Sequence, residues 1–273
     1  MRKVSIGFVV VIAMFTALAT AQAPGSGPYR VLKTVKLGGV GGFDYVNADS
    51  AARRLYIARS GQGGRITVFN LDTLEPVGEI PMVSAHGVAI DPKSGHGIAS
   101  SRPLTMFDAK TLAVIKTIEV NGAPDGLLFD PFNERVHVLS HIAPYDTVIN
   151  TADGTVAGTI DLGGQPEQAA SDGKGKIYVD LEDKSAIAVV DAKTMMVTAK
   201  YDLTGSGGTC AGLALDNKNH ILFASCRNPA NMVVLGANDG KIITTFPQPA
   251  QVPTAPLSIR VRWKPSALTP TAP

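Results

Sequence analysis

The motifs that mark several common cofactor and hydrolase chemistries are missing from this chain. It has no C-x-x-C-H haem motif, no H-E-x-x-H zinc helix and no G-x-S-x-G nucleophile elbow. Two glycine-rich stretches, GVGGF and GSGGT, each precede an apolar strand-like segment rather than a helix, which does not favour phosphate binding. The sequence therefore assigns no catalytic residue, and it points to an architecture more clearly than to an activity.

Charge is also scarce, at 18% of residues, and the formal net charge of +2 is misleading. Five cations lie near the two ends of the chain: Arg2, Lys3, Arg260, Arg262 and Lys264. Without them, the chain has 20 basic and 23 acidic side chains, so its central part is slightly acidic. Tight nucleic-acid binding normally requires a basic surface, and we therefore expect no nucleic-acid partner.

Long apolar runs are absent after the N-terminus. The chain begins with the cations Arg2 and Lys3, continues with the apolar run Val4–Leu18 and reaches the small-x-small site Ala21–Ala23. This order is typical of a secretory signal peptide, predicted over residues 1–23, and the run is shorter than the roughly 20 residues of a membrane-spanning helix. We expect a periplasmic or extracellular protein without a membrane span once the signal is cleaved.

Helical periodicity is missing beyond the signal segment, and a repeat takes its place. Five segments share an apolar strand, a turn that begins with aspartate and a second apolar strand. Their turn aspartates are Asp49, Asp91, Asp130, Asp172 and Asp216, spaced by 42, 39, 42 and 44 residues. A third strand (ITVFN, LTMFD, DTVIN, IAVVD, MVVLG) and a fourth (PVGEI, VIKTI, VAGTI, VTAKY, KIITTF) follow in phase.

Four short strands in a period of about 42 residues predict an all-β fold, a β-propeller of four-stranded antiparallel blades. A two-sheet sandwich is the alternative, but it does not explain a regular four-strand period. The predicted propeller covers residues 29–246. The N-terminal stretch VLKTVKLGG is similar to the fourth strand of a blade and is interpreted as one further strand without its three partners.

The segment Leu55–Ile80, LYIARSGQGGRITVFNLDTLEPVGEI, resembles the forty-residue YVTN repeat. The chain as a whole resembles an exported YncE-like propeller protein over roughly residues 33–246. This resemblance implies a propeller and says little about activity, since propellers include lactonases, dehydrogenases and pure binding scaffolds. It also implies seven blades, whereas five repeats are visible.

The repeat pattern stops at Pro247, and residues 247–273 contain seven prolines. They are predicted to be a Pro-rich, disordered tail, because proline cannot donate to a sheet ladder. One interpretation is a linker after a complete five-bladed ring. The other, favoured by the blade count of the family, is a truncated or frame-shifted chain that lacks two blades.

One repeat position carries candidate chemistry. The residues five positions before the turn aspartates are Asp44, His86, Asp125, Glu167 and Ala211. Innermost strands line the channel of a propeller, so the four polar side chains are predicted to converge there. They could be solvated channel walls or acceptors for loop amides, they could bind a ligand or a divalent cation such as calcium, or His86 could act as a general base.

Three functions follow for these candidates. The first is a non-catalytic scaffold that binds a small molecule, a peptide or an envelope protein at the channel mouth, with no cofactor. The second is a metal-dependent hydrolase resembling the propeller lactonases, with the same four residues as ligands. The third is a truncated gene product without a function of its own. We favour the first, and the other histidines (His96, His137, His141 and His220) are interpreted as ordinary.

The two cysteines, Cys210 and Cys226, flank the first hairpin of the fifth repeat. A turn centred on Lys218 places Leu213 opposite Phe223 and Cys210 opposite Cys226, near enough for a disulfide. A metal site fails because His220 is about 20 Å from either cysteine along the strands. A redox pair usually has C-x-x-C spacing, and the spacing of these two cysteines, 16 residues, does not match it. We therefore predict a structural disulfide, which an exported protein can form.

Overall fold

A computed structural model describes residues 32–37 and 40–248 of the chain, as two units that we treat separately. Residues 40–248 contain twenty strands in five antiparallel sheets of four, each built from strands consecutive along the chain. They contain no helix, and therefore no helix that could cross a membrane. The five sheets are the blades of a β-propeller, as the repeat predicts.

The strand bounds follow the five repeats. Blade 1 consists of β1 Gly42–Asp49, β2 Arg54–Ser60, β3 Arg65–Asn70 and β4 Pro76–Pro81. Blade 2 consists of β5 Val88–Asp91, β6 His96–Ala99, β7 Leu104–Asp108 and β8 Val114–Ile118. Blade 3 consists of β9 Pro124–Asp130, β10 Arg135–Ser140, β11 Asp146–Asn150 and β12 Val156–Ile160. Blade 4 consists of β13 Pro166–Ser171, β14 Lys176–Leu181, β15 Ala186–Asp191 and β16 Met196–Asp202. Blade 5 consists of β17 Cys210–Asp216, β18 Ile221–Cys226, β19 Asn231–Gly236 and β20 Ile242–Pro247.

The turn aspartates close the first hairpin of each blade. The Oδ1 atom of Asp49 accepts hydrogen bonds from the backbone N–H groups of Ala51 and Ala52, both at 3.0 Å. The corresponding aspartates of the other four blades also accept from backbone N–H groups two to four residues ahead. An aspartate that satisfies its own turn in this way is why the residue recurs at this repeat position.

The core lies between the blades. Four buried apolar clusters join blade 1 to 2, 2 to 3, 3 to 4 and 4 to 5, and each combines side chains from the middle strands of two neighbours. Two of the turn aspartates reinforce the packing: the Thr151 hydroxyl donates to Asp91 and the Ser171 hydroxyl donates to Asp130, both at 2.6 Å. Among residues 40–248 no similar cluster joins blade 5 to blade 1.

Two boundaries differ from the sequence prediction. Residues 32–37 carry no strand, so the predicted strand in VLKTVKLGG is wrong for this part. A single strand-like stretch without partners has no ladder in which to place its backbone hydrogen bonds. At the other end, Pro247 is the last residue of β20 and is paired with Asn231. The predicted tail therefore begins at least one residue too early. Pro247 can belong to β20 because this is an edge strand, where proline is tolerated. The predicted signal peptide and residues 249–273 lie outside the described residues.

The disulfide between Cys210 and Cys226 is formed, as predicted. The register that was used to predict it is wrong by one residue along most of the hairpin, where Leu213 pairs with Ala224 rather than Phe223. A β-bulge between Cys210 and Gly212 restores the pairing of the two cysteines. A bulge adds one residue to one strand, and the added Ala211 compensates for the shift.

Candidate functional site

The bulge recurs at the start of four of the five innermost strands, and it carries the candidate residues. In blade 1, Asp44 and Tyr45 lie opposite one residue of β2; in blade 3, Asp125 and Gly126 lie opposite one residue of β10. In blade 4, Glu167 and Gln168 lie opposite Asp180 of β14. Bulges redirect a side chain away from the regular alternation of a strand, and they are common beside functional sites.

Blade 2 has no bulge at this position, and His86 lies two residues before β5. Its carbonyl accepts a hydrogen bond of 3.0 Å from the backbone N–H of Tyr45, which connects it to the bulge of blade 1. The next residue, Gly87, donates its N–H to the Ser100 hydroxyl at 2.9 Å. Backbone contacts therefore place His86 beside the carboxylates of its neighbours.

The four predicted residues lie close together beside the starts of the innermost strands. His86 Nδ1 lies 3.3 Å from Asp44 Oδ2 and 3.4 Å from Asp125 Oδ1. On the other side of Asp125, its Oδ2 atom lies 3.4 Å from Nε2 of His141, which is 3.7 Å from Glu167 Oε2. The carboxylate of Asp125 is thus shared by two imidazoles, with a further carboxylate beyond each of them.

Four participants were not assigned to the site from the sequence. His141, interpreted as ordinary, belongs to the cluster. The Tyr45 hydroxyl donates to Glu167 Oε2 at 2.8 Å, and Arg227 of blade 5 lies 3.4 Å from Glu167 Oε1 and 2.6 Å from Glu182 Oε1. His141, Glu182 and Arg227 share a signal that could have found them, because each directly follows the second strand of its blade.

Close packing of blades 3 and 4 brings Glu167 to Asp125. A Cβ atom on Gly126 would lie 2.5 Å from the backbone oxygen of Glu167, a distance that only glycine allows. The N–H of Gln168 donates to Asp180 Oδ1 at 2.6 Å, and its side chain accepts a hydrogen bond from the N–H of Leu213 at 3.1 Å. The bulge of blade 4 is therefore held by contacts on both sides.

The electrostatics of the cluster reflect its shared carboxylates. Burial and the neighbouring Glu167 carboxylate raise the pKa of Asp125 to about 6. The hydrogen bond with Asp44 raises the pKa of His86, although partial burial opposes it. Burial and the Asp125 and Glu167 carboxylates raise the pKa of Tyr45, so its hydroxyl keeps its proton and remains a donor. Burial also raises the pKa of Asp180 well above its usual range.

Two atoms of the cluster are buried without a hydrogen bond. These atoms are Oδ1 of Asp125, whose residue is 9% exposed, and Nε2 of His141. Both lie within ion-pair distance of charged neighbours, but none of these contacts has hydrogen-bond geometry. A buried polar atom without a partner costs free energy unless something else satisfies it. A bound ligand would satisfy these two atoms; buried atoms without a hydrogen bond also occur outside the cluster, in the pair of His137 and Asp146.

Farther along the innermost strands lies a cavity of about 330 Å³. It is lined by β1, β5, β9 and β13, including Val88, Leu127 and Phe129. Tyr45 lines this cavity and its hydroxyl donates to Glu167, so its side chain borders both the cavity and the carboxylate cluster.

The remaining histidines have contacts elsewhere or lie on the surface. His137 and Asp146 form a buried pair at 2.7 Å. Burial opposes the charged imidazole, but the Asp146 carboxylate outweighs it and raises the pKa of His137. His96 Nδ1 lies 2.7 Å from the carbonyl oxygen of Thr151, and His220 is exposed in the turn of blade 5.

Comparison with known proteins supports the fold alone. No family model matches the chain, and no curated protein matches it. Among solved structures, the chain is similar to the dihydro-heme d1 dehydrogenase NirN in complex with DHE, with a TM-score of 0.57 and 12% identity. The match covers 71% of this chain and 44% of NirN, so this chain spans less than half of that protein. At this identity the likeness establishes a propeller and nothing about chemistry.

Proposed function

We propose that this protein is an exported propeller of the YncE-like YVTN-repeat kind that binds a small ligand at the mouth of its channel, without catalysing a reaction. One observation carries the proposal. Side chains from all five blades meet at the same channel end: Asp44, His86, Asp125, His141, Glu167 and Arg227. A solvated channel wall would not require a shared and buried carboxylate with an unsatisfied oxygen atom.

The charge of the site favours a cationic ligand. Asp44, Asp125, Glu167 and Glu182 supply four carboxyl groups, and Arg227 is the one arginine in contact with them among residues 40–248. Partial burial lowers the effective dielectric constant, so this excess of negative charge attracts a metal ion or an organic cation more strongly than at an open surface.

The contacts of the two imidazoles support binding over covalent catalysis. Within residues 40–248 neither His86 nor His141 hydrogen-bonds to a serine, threonine or cysteine. A nucleophile with an adjacent base, which acyl transfer by a side chain needs, is therefore not assembled there.

The Cys210–Cys226 disulfide is consistent with an oxidising compartment and supports export.

A metal-dependent hydrolase remains the second candidate because of a specific observation. Two groups of three potential ligands, Asp44–His86–Asp125 and Asp125–His141–Glu167, each have their donor atoms within 4.8 Å of one another. Three protein ligands leave a coordination position open, which is the arrangement of catalytic metal sites.

Calorimetric titration tests the proposal. The metal-free protein is titrated with zinc and calcium salts and with the diamine putrescine, alongside a Glu167→Gln variant. We expect at least one probe to bind, with at least tenfold weaker binding to the variant. Equal binding to both proteins, or no binding of any probe, would contradict a channel-mouth site. Turnover of a lactone panel by the metal-loaded protein would favour the hydrolase instead.

A further inference from the structure

We propose that the channel mouth holds two divalent transition-metal ions side by side, with the Asp125 carboxylate as the bridge between them. The first ion is bound by Asp44, His86 and Asp125, and the second by Asp125, His141 and Glu167. This inference rests on the proposed function, since it specifies the ligand of the same site.

The spacing of the donor atoms supports a metal over a hydrogen-bonded network. Charge-assisted hydrogen bonds between nitrogen and carboxylate oxygen are about 2.7–2.9 Å long. The contacts of His86 and His141 to Asp125 are both 3.4 Å and lack hydrogen-bond geometry, and the hydrogen bond between His86 and Asp44 is long, at 3.3 Å. Two ligands of a tetrahedral ion with bonds of about 2.0–2.1 Å are separated by roughly 3.4 Å. The three contacts therefore match the edges of a coordination polyhedron.

The unsatisfied atoms of these contacts give a second indication. Oδ1 of Asp125 and Nε2 of His141 are buried without a hydrogen bond, and each belongs to a ligand triad. The two oxygens of Asp125 face different imidazoles: Oδ1 faces His86 and Oδ2 faces His141. A carboxylate oriented in this way can give one oxygen atom to each of two ions.

The donor types select the class of metal. Calcium and magnesium prefer oxygen ligands, whereas imidazole is typical of zinc, copper, nickel and iron sites. Each triad contains one imidazole with two carboxylates, which favours zinc-like ions over calcium, the cation named as an example in the sequence analysis. Tyr45, which donates to Glu167 Oε2, and Arg227, beside Oε1, are placed to orient that ligand.

Titration of the metal-free full-length protein with zinc and with cobalt(II) tests the bridge. Wild type is expected to bind two equivalents. His86→Ala and His141→Ala are each expected to lose one equivalent and to retain the other within about threefold in affinity. Asp125→Asn should weaken both by at least 100-fold. His220→Asn, in an exposed turn, is the matched control and should bind like wild type.

Thermal melts of the metal-free variants verify folding, and Asp125→Asn nearly preserves the shape of the side chain. A single equivalent that both histidine variants abolish would overturn the two-ion inference and leave the proposed function standing. Binding of putrescine but of neither metal would do the same. No binding of any of these probes would overturn both.

Discussion

At the level of single residues, the charge of Asp125 is costly to bury. Its carboxyl lies between His86 and His141, yet burial and the Glu167 carboxylate raise its pKa to about 6. At neutral pH the ionised and buried Asp125 carboxylate therefore lowers the stability of the metal-free protein. This is expected of a site that is adapted to bind a ligand rather than to stabilise the fold.

The Asp125→Asn substitution should therefore stabilise the metal-free protein. Because the folded-state pKa of Asp125 lies above that of the unfolded chain, its contribution to stability is fully present below about pH 4 and is lost as the pH rises through about 6. At pH 7.5 in chelator we expect the variant to be more stable by up to about 3 kcal/mol. Urea unfolding of both proteins at pH 4 and pH 7.5 measures the difference, which should nearly vanish at pH 4. An equal difference at both pH values would contradict the assigned burial cost.

Tyr45 acts on the site through Glu167 rather than as a direct ligand. Loss of its hydroxyl in Tyr45→Phe removes the 2.8 Å hydrogen bond, and we expect about tenfold weaker zinc binding. The free energy of unfolding should fall by about 1 kcal/mol. Tyr201→Phe is the control, because Tyr201 donates to the carbonyl of Ala237 at 3.0 Å, outside the cluster. Calorimetry on both variants separates the effects, and the same loss of affinity in both would argue against a positioning role for Tyr45.

At the scale of elements, the β-bulge is the local structure that creates the site. Alternation along β1, β9 and β13 would send neighbouring side chains to opposite faces of the blade. Two residues facing one on the partner strand break this alternation where Asp44, Asp125 and Glu167 lie. The same irregularity in β17 aligns the two cysteines.

Because the bulges of blades 3 and 4 lie close together, the stability of the protein should be sensitive to a methyl group added at Gly126. Gly126→Ala places a Cβ 2.5 Å from the Glu167 carbonyl oxygen, so blades 3 and 4 must separate locally. We expect a loss of about 1–3 kcal/mol in stability together with weaker zinc binding. Gly42→Ala is the control, because its Cβ would meet only the Ser60 hydroxyl at 3.4 Å. Denaturant unfolding and calorimetry measure both effects, and wild-type behaviour of Gly126→Ala would contradict the tight contact.

The disulfide joins the first two strands of blade 5 beside the site. Cys226 directly precedes Arg227, which contacts Glu167 and Glu182. A Cys210→Ser/Cys226→Ser double variant should lose about 3 kcal/mol, since the bond closes a short loop. Urea unfolding with and without reductant measures this: wild type should weaken in reductant, and the variant should not respond. A reductant effect on the variant would show that the loss has another origin.

For the molecule as a whole, much of the architecture can be predicted from the sequence. The turn aspartates recur because each one satisfies its own hairpin, so the five blades and all twenty strands follow from the repeat. The convergence of Asp44, His86, Asp125 and Glu167 follows from a shared repeat position. The bulges do not follow, because an added residue leaves the apolar pattern nearly unchanged, and this is why the predicted register of β17 and β18 is wrong by one residue.

The rest of the site depends on tertiary contacts that repeat position alone does not define. His141 and Arg227 follow the second strands of their blades, and their side chains reach the channel only because of how the blades pack. Tyr45 follows Asp44 and would face the other side of a regular strand. The YncE-like assignment and export remain predictions, since the structural likeness to NirN shows only the fold.

The His–carboxylate cluster at the channel mouth is proposed here as a binding site for ions. Crystals of the metal-free protein soaked in zinc, with diffraction data collected above the zinc absorption edge, test it most directly. We expect two anomalous peaks flanking the Asp125 carboxylate, one beside Asp44 and His86 and the other beside His141 and Glu167. A channel mouth without anomalous density, in crystals where zinc binds only at surface sites such as His220, would contradict it.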